Sequence, residues 1–307
     1  MPDRLRPLVI GTRGSPLALR QTQMVQAKLE ASALGRRFTV QMIQAHADKD
    51  PELPLTVMSG EGVFVKELES ALLERRIDLA VHSLKDLPLD IPPSLRIAAV
   101  LQRDEPRDAL VSRSSERFDR LPVGSRIGTS SLRRQSQLLH RRKDLQVLPI
   151  RGNVDTRLRK LDEGQYDAIV VAACGLIRLG LQERITERLD FSIMLPEPGQ
   201  GALAVEARVD DHELLTMLSQ LDDASSRACT DAERAFLRAL GGGCRVPIAA
   251  HATIEADTVT LQGAVIASDG TKRLTGTMQG PATDSRRLGA RLAQQLISQG
   301  AKKLLEI

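Results

Sequence analysis

The sequence predicts an α/β protein: two similar lobes with mainly parallel sheets, followed by a smaller C-terminal α+β domain. Three observations support this. Short apolar runs alternate with amphipathic stretches from Leu8 to Ala173, the rhythm of β-α-β units. A Gly-Thr pair stands between a strand and a helix twice, in Ile10-Gly-Thr-Arg13 and Ile127-Gly-Thr-Ser130. From Ala224 the pattern becomes one helix, three strands and a final helix.

The elements follow in order. Leu8–Ile10 is apolar and short, a strand. Ser15-Pro16 then opens a helix running to about Ala31, with Ser as N-cap and Pro at the first helical position. Val40–Ile43 is strand-like, and Val63–Arg76 is helical, with Phe64, Leu68, Ala71 and Leu72 on one face. Leu79–His82 is a strand. After the polar stretch Gln102–Arg107 the rhythm restarts: a strand ending at Arg126–Gly128, a helix Leu132–Arg142, a strand Leu145–Ile150 and a helix Asp155–Glu163. Ala168–Ala173 is an unbroken apolar run, as expected of a strand covered on both faces. Leu195–Ala202 is rich in Pro and Gly and reads as a connection. The last part gives a helix Ala224–Leu240, strands Ile248–Glu255, Val259–Ala267 and Arg273–Met278, a turn at Asp269-Gly270, and a helix Ser285–Gln299. The echo of Leu19-Arg-Gln-Thr-Gln23 in Leu132-Arg-Arg-Gln-Ser-Gln137 suggests two similar lobes facing a cleft.

Composition narrows the function. The 307 residues include 42% hydrophobic and 27% charged side chains, an ordinary globular balance, but only 2% aromatics and no Trp. The core is therefore aliphatic. A net charge of +4 suits nucleic acid or an acidic small molecule, and the lack of aromatic platforms favours the second. The N-terminus carries no signal-peptide pattern, and no apolar run is long enough to cross a membrane. Cys174, Cys229 and Cys244 are odd in number and widely spaced, which suits reduced thiols and a cytoplasmic setting. Neither they nor the five histidines show metal-ligand spacing.

Anion-binding chemistry is concentrated at the strand-to-helix turns. Arg13, Arg133 and Arg134 accompany the helix starts at Ser15 and at Thr129-Ser130-Ser131, and Arg151 and Arg157 flank a third turn. Backbone N–H groups at helix starts attract anions, and arginine grips carboxylates through its planar fork. Open α/β sheets bind ligands at these strand ends. Individually, such arginines are also ordinary surface residues. Phosphate is the competing anion, but neither a Walker A motif nor a clear G-x-G-x-x-G is present. Asp86 lies just past a strand beside Lys85, placed either to steady a developing cation and handle a proton or simply to cap a turn. His82 reads as a structural strand residue or an acid–base group. Cys244 follows three glycines, as an attachment site or a plain loop cysteine would. Cys174 and Cys229 read as buried structural thiols.

Seven segments together resemble the porphobilinogen deaminase (hydroxymethylbilane synthase) family. They are Ile10-Gly-Thr-Arg-Gly-Ser-Pro-Leu-Ala-Leu19, Phe64-Val-Lys-Glu-Leu68, Ala80-Val-His-Ser-Leu-Lys-Asp-Leu-Pro88, Gly128-Thr-Ser-Ser-Leu-Arg-Arg-Gln135, Arg151-Gly-Asn-Val154 with Thr156-Arg157, Pro198-Gly-Gln-Gly-Ala202 and Gly242-Gly-Cys-Arg-Val-Pro247, in family order along nearly the whole chain. The resemblance implies two lobes like those of periplasmic binding proteins, residues 1–101 with 202–219 and residues 107–195, and a third domain over 224–307. It implies a cytoplasmic monomer that condenses four porphobilinogen molecules head to tail, releasing ammonia, with no nucleic-acid or membrane partner. It implies a dipyrromethane cofactor joined to Cys244 by a thioether. Ser83, Lys85, Asp86, Thr129, Ser131, Arg133 and Arg134 would hold that cofactor, and Asp86 would be catalytic. Arg13, Ser15, Gln21, Arg151, Arg157, Arg178 and Gln200 would hold substrate or the growing chain.

The chain departs from the family in residues 48–64. Many members carry Gly-Gly-Lys-Gly before Phe and a further lysine earlier; here Glu61 and Val57 occupy those places, so the loop's role does not carry over. Two other classes compete. A two-lobed anion sensor predicts no need for Cys244. A nucleic-acid binder predicts a helix-turn-helix or an aromatic platform, and neither pattern is identified.

Overall fold

The structure is a computed structural model describing residues 6–32, 36–43, 65–242 and 246–305. It divides into two compact units, residues 1–103 with 202–227 and residues 104–201 with 228–307.

The first unit opens with β1 (Leu8–Thr12), α1 (Pro16–Ser32) and β2 (Phe38–Met42). Then come α2 (Lys66–Leu73), β3 (Leu79–Ser83), a single 3-10 turn (Leu84–Asp86) and β4 (Leu95–Val100). In the second unit, β5 (Asp108–Ser112), β6 (Arg126–Gly128), α3 (Leu132–Arg141), β7 (Gln146–Leu148), α4 (Val154–Asp162), β8 (Ala168–Ala172), α5 (Ala173–Arg178) and β9 (Glu187–Arg188) follow. The chain then returns to the first unit for β10 (Leu203–Arg208) and α6 (His212–Ser219). The remainder is α7 (Ala224–Ala239), β11 (Ile248–Glu255), β12 (Thr258–Ile266), β13 (Arg273–Pro281), α8 (Ser285–Ser298) and α9 (Ala301–Leu305).

The sheet of the first unit has the order β2-β1-β3-β10-β4, and that of the second β7-β6-β8-β5-β9. These are one pattern used twice. In each, the strand ending in Gly-Thr lies between two parallel neighbours, and one strand runs antiparallel near the far edge: β10 against β3 and β4, β5 against β8 and β9. The Gly-Thr echo in the sequence therefore marks a true structural equivalence. The antiparallel strands were not legible as such. Both enter the sheet from the end at which the parallel strands leave it.

The cores are aliphatic, as composition requires. Ile10, Val25, Leu29, Leu79 and Val205 form one centre in the first unit, and Leu110, Ile127, Leu138 and Val170 one in the second. Burying each such side chain contributes roughly 1.5–3 kcal/mol. The third sheet is the antiparallel meander β11-β12-β13, packed on α7 and α8 through Phe236, Leu261, Leu292 and Leu296. Within the second unit, its inner residues Ala249, Ala264 and Ile266 also pack on Leu195 and Phe191.

One correction concerns Cys174. The sequence places it at the end of a strand; β8 stops at Ala172, and Cys174 lies buried in the first turn of α5. Cys229 is buried in α7, as expected.

Candidate active site

In the first unit, β1 and β3 lie side by side and parallel, with Ile10 level with Leu79 and Gly11 with Ala80. Their carboxyl ends therefore emerge together, carrying Arg13 and Ser15 from one and Ser83, Lys85 and Asp86 from the other. Ser15 caps α1: its Oγ accepts from the N–H of Ala18 at 3.2 Å. The buried Gln21, one turn into that helix, donates from Nε2 to Ser83 Oγ at 2.9 Å, so α1 and the end of β3 are tied together. Lys85 and Asp86 sit in the 3-10 turn, Lys85 half-buried and Asp86 exposed. The backbone N–H of Leu84 donates to Ala202 O at 3.0 Å, extending the β10 pairing to within two residues of Asp86.

In the second unit the carboxyl ends of β6, β7 and β8 lie at the end of the sheet where antiparallel β5 begins with Asp108: Gly128 pairs with Leu148 and Ile169, and Asp108 with Ala172. Ser131 caps α3, accepting from the N–H of Arg134. Thr129 is buried beside it, its Oγ1 accepting from the N–H of Ser131 at 3.2 Å. Arg133 and Arg134, on the first turn, are both buried. They share the carboxylate of Asp108, which is 0% exposed: Arg133 Nη1 donates to Oδ2 at 2.7 Å, and Arg134 Nη2 to Oδ1 at 2.8 Å. Gln200 Nε2 donates to the same Oδ1 at 3.0 Å. Arg133 also reaches Leu195 O, and Arg134 reaches Val170 O. Nε and Nη2 of Arg133 remain buried without a hydrogen-bond partner among the described residues.

Arg157 adds to this charge. Burial, then the neighbouring Arg134 and Arg151, pull its pKa down to about 10. Its Nε donates to Gly152 O at 2.9 Å. Positive charge is thus held close to positive charge in partly dry surroundings, an arrangement that favours an incoming anion. Arg178 is committed differently. Its Nε donates to Asp104 at 2.9 Å and its Nη2 to Gly201 O at 2.7 Å, so it fixes the two ends of the chain crossing in this unit. Gly201 is obligatory there: its φ is +92°, and a Cβ would lie 2.7 Å from Asp104 O.

Apart from Gln21, Arg178 and Gln200, the predicted site residues among the described positions lie in or beside the turns that follow strands and open helices. Arg13, Ser15, Gln21, Ser83, Lys85 and Asp86 group in the first unit. Thr129, Ser131, Arg133, Arg134, Arg151, Arg157 and Gln200 group in the second, with Arg178 two turns away along α5. Cys244, Val57 and Glu61 lie outside the described residues. Sequence reading missed Asp108. The signal available was physical: two adjacent arginines that are both buried on one helix require a buried carboxylate. Among the described residues no group of His, Cys, Asp and Glu could hold a metal, and no helix is long and apolar enough to cross a membrane. A cavity of about 380 Å³ lined by Lys28, Ser32, Leu101 and Asp223 borders the far end of α1 from the Ser15 cap and belongs to neither group.

Residues 8–216 match the family described as porphobilinogen deaminase, dipyromethane cofactor binding domain, and residues 227–298 match porphobilinogen deaminase, C-terminal domain. A porphobilinogen deaminase of Roseiflexus castenholzii is 49% identical over 298 residues, covering 97% of this chain and 98% of the relative. One from Syntrophobacter fumaroxidans is 45% identical over 306 residues, covering 100% and 98%. Among solved structures, the second substrate-binding domain of a putative amino-acid ABC transporter from Streptococcus pneumoniae aligns at 12% identity and a TM-score of 0.44, covering 77% of this chain and 95% of that one.

Proposed function

Because this chain belongs to the porphobilinogen deaminase family, we propose the residues through which it works. Its reaction is the family's: porphobilinogen units are condensed head to tail into hydroxymethylbilane, a linear tetrapyrrole, with loss of ammonia, on a dipyrromethane cofactor. The observation that carries the residue assignment is the cationic end of the second unit: Arg133 and Arg134 buried on one carboxylate, Arg133 with Nε and Nη2 unpartnered among the described residues, and Arg157 depressed by burial and then by its neighbours. Such a set suits a ligand that brings several carboxylates, as each pyrrole unit does through its acetate and propionate groups.

When bound through Cys244, the dipyrromethane supplies the nucleophilic pyrrole carbon that starts the chain. Arg133 and Arg134 hold its carboxylates by charge-assisted hydrogen bonds, with Ser83, Lys85, Thr129 and Ser131 adding donors. Arg13, Ser15, Gln21, Arg151, Arg157 and Gln200 bind and orient incoming substrate, and Arg178 supports elongation by fixing the chain crossing near Gly201. The Asp86 carboxylate accepts from pyrrole N–H groups, steadies the positive charge that develops on the ring nitrogen, and takes up the proton lost when the ring carbon forms its new bond. The same reading takes the chain as three domains, a lobe for each five-stranded sheet and one for the meander, acting as a cytoplasmic monomer.

Two measurements test it. Purified protein given porphobilinogen should release ammonia and a linear tetrapyrrole, and its mass should exceed the sequence mass by one dipyrromethane, an increment absent in Cys244→Ser. Asp86→Asn should keep its fold, because Asp86 is exposed, yet lose roughly 10²–10³ in kcat, the range for a preorganised charge removed from a reacting centre. Wild-type turnover in that variant would refute the role.

A further inference from the structure

Beneath the turn that carries Asp86 the first unit buries three titratable side chains that the mechanism above does not use. Glu206 on β10 is 0% exposed, and its Oε2 lies 3.0 Å from Nε2 of His82 on β3. Strand register puts the two residues on one face, since Ala204 pairs with His82 and Glu206 with Ala80. Glu69, on α2, is buried with them. Apart from that ion-pair contact, neither oxygen of Glu206 makes a hydrogen bond among the described residues, nor does Glu69 Oε1. The carboxyl of Glu69 is pushed above the usual carboxylate range by burial and then by Glu206, against His82 and Lys66, which lower it. The charges acting on the cluster thus come from α2, β3 and β10 alike.

Buried polar groups left unsatisfied are expensive, and an apolar trio of similar volume would serve stability as well or better. Their position gives the reason for keeping them. His82 is the fourth residue of the five-residue β3, next to Ser83, and the 3-10 turn with Lys85 and Asp86 follows at once. The antiparallel strand bearing Glu206 is also the one that holds the end of β3, through the Leu203 to Ser83 pairing and the Leu84 N–H to Ala202 O bond. The His82–Glu206 contact thus spans the strand pair that carries this turn.

We propose that Glu206 is a positioning residue for the condensation reaction: with Glu69 and His82 it forms a buried polar cluster that fixes the carboxyl end of β3 and so the attitude of the Asp86 carboxylate. This rests on the reading of Asp86 as the catalytic carboxylate. As pH rises the Glu69 carboxyl, held high by burial and then by Glu206, gives up its proton, and the buried charge so created loosens the turn. Glu206 raises the Glu69 carboxyl, so removing its charge lets Glu69 deprotonate at lower pH.

The test uses holoenzyme verified by mass, in Glu206→Gln, Glu69→Gln and Asp86→Asn. Glu206→Gln should lose on the order of tenfold in kcat with KM within about twofold, the signature of lost orientation and not of lost binding. The alkaline fall of its kcat–pH profile should move down by about one pH unit, as expected when one near charge is removed. Glu69→Gln, with no carboxyl there to lose a proton, should abolish that limb. Wild-type kcat and an unmoved limb in both variants would overturn the inference, as would a loss of kcat that tracks a lower melting temperature while the limb stays in place. If Glu206→Gln does not fold, the limb in Glu69→Gln decides by the same criterion. Normal turnover in Asp86→Asn would instead sink the reading on which the inference rests.

Discussion

Asp108 illustrates how much of this site depends on a single carboxylate. Both of its oxygens accept from buried arginines, and Gln200 adds a further donor. In Asp108→Asn the two guanidinium groups of Arg133 and Arg134 stay in a dry setting with no counter-charge. Breaking a buried ion pair from one side costs roughly 3–5 kcal/mol. Urea unfolding of the variant should show an unfolding free energy lower by about that amount, and the surviving folded fraction should bind cofactor poorly because α3 no longer holds its arginines in place. The positions of Arg133 and Arg134 were legible from the helix start that precedes them. Asp108 was not, because a lone aspartate after the polar stretch Gln102–Arg107 looks like the rest of that stretch. Only its partners, dozens of residues further along, distinguish it. Asp86 is the reverse case: its neighbourhood in the sequence is telling, while its geometry is that of an exposed turn.

Among the elements, those with a local signature were read well. α1 starts at Pro16 behind its serine cap, and α3 and α4 begin at Leu132 and Val154 behind Ser131 and Asn153. β4, β5 and β10 were missed. β10 reads Leu-Ala-Val-Glu-Ala-Arg, and all six residues are buried, the two charges included. Glu206 faces His82, while Arg208 donates to Leu72 O and Ile77 O, so tertiary partners neutralise what a pattern of hydrophobicity takes for solvent exposure. The β12–β13 hairpin was legible from Asp269-Gly270, and the structure gives that turn a further duty. Gly270 has φ +75°, a Cβ there would lie 2.5 Å from the backbone N of His140, and its carbonyl meets His140 Nδ1 at 2.8 Å. The tip of the third sheet thus rests directly on α3. Gly270→Val should cost about 1–3 kcal/mol from the strained backbone, and more from the clash with helix backbone. A calorimetric scan should show a melting temperature lowered by several degrees, since 1 kcal/mol shifts a chain of this size by roughly 2–4 °C. Asp269→Ala, exposed at the same turn, should shift it far less.

Across the whole molecule the ionised groups fall into two sets with opposite consequences. Arg126 holds the carboxyl of Asp167 below its ordinary range, as Arg107 does for Glu105. Burial pushes Asp78 up, but Arg6, the Val9 N–H and Arg208 outweigh it and hold it low. A carboxyl lowered by folding contributes stability that is present above its ordinary pKa and lost as pH falls through the folded value. Glu69 has the opposite sign, since its raised pKa gives stability that is lost as pH rises through the folded value. With the lowered set in the majority, urea midpoints should fall between pH 5 and pH 3 while the fold holds near neutrality. The cationic set acts against stability at every physiological pH. Folding strips Arg157 of water and brings it beside Arg134 and Arg151, which is why its pKa drops to about 10. The folded chain carries that repulsion until an anion relieves it, so a ligand with carboxylates stabilises by binding and also by removing a cost already present. Cofactor-free Cys244→Ser should therefore melt below the holoenzyme, by more than loss of one thiol can explain. Raising the salt concentration screens like charges, so it should narrow that gap, most of all with a polycarboxylate salt such as citrate. Equal melting temperatures for the two forms in low salt would mean that these arginines are not the groups the cofactor neutralises.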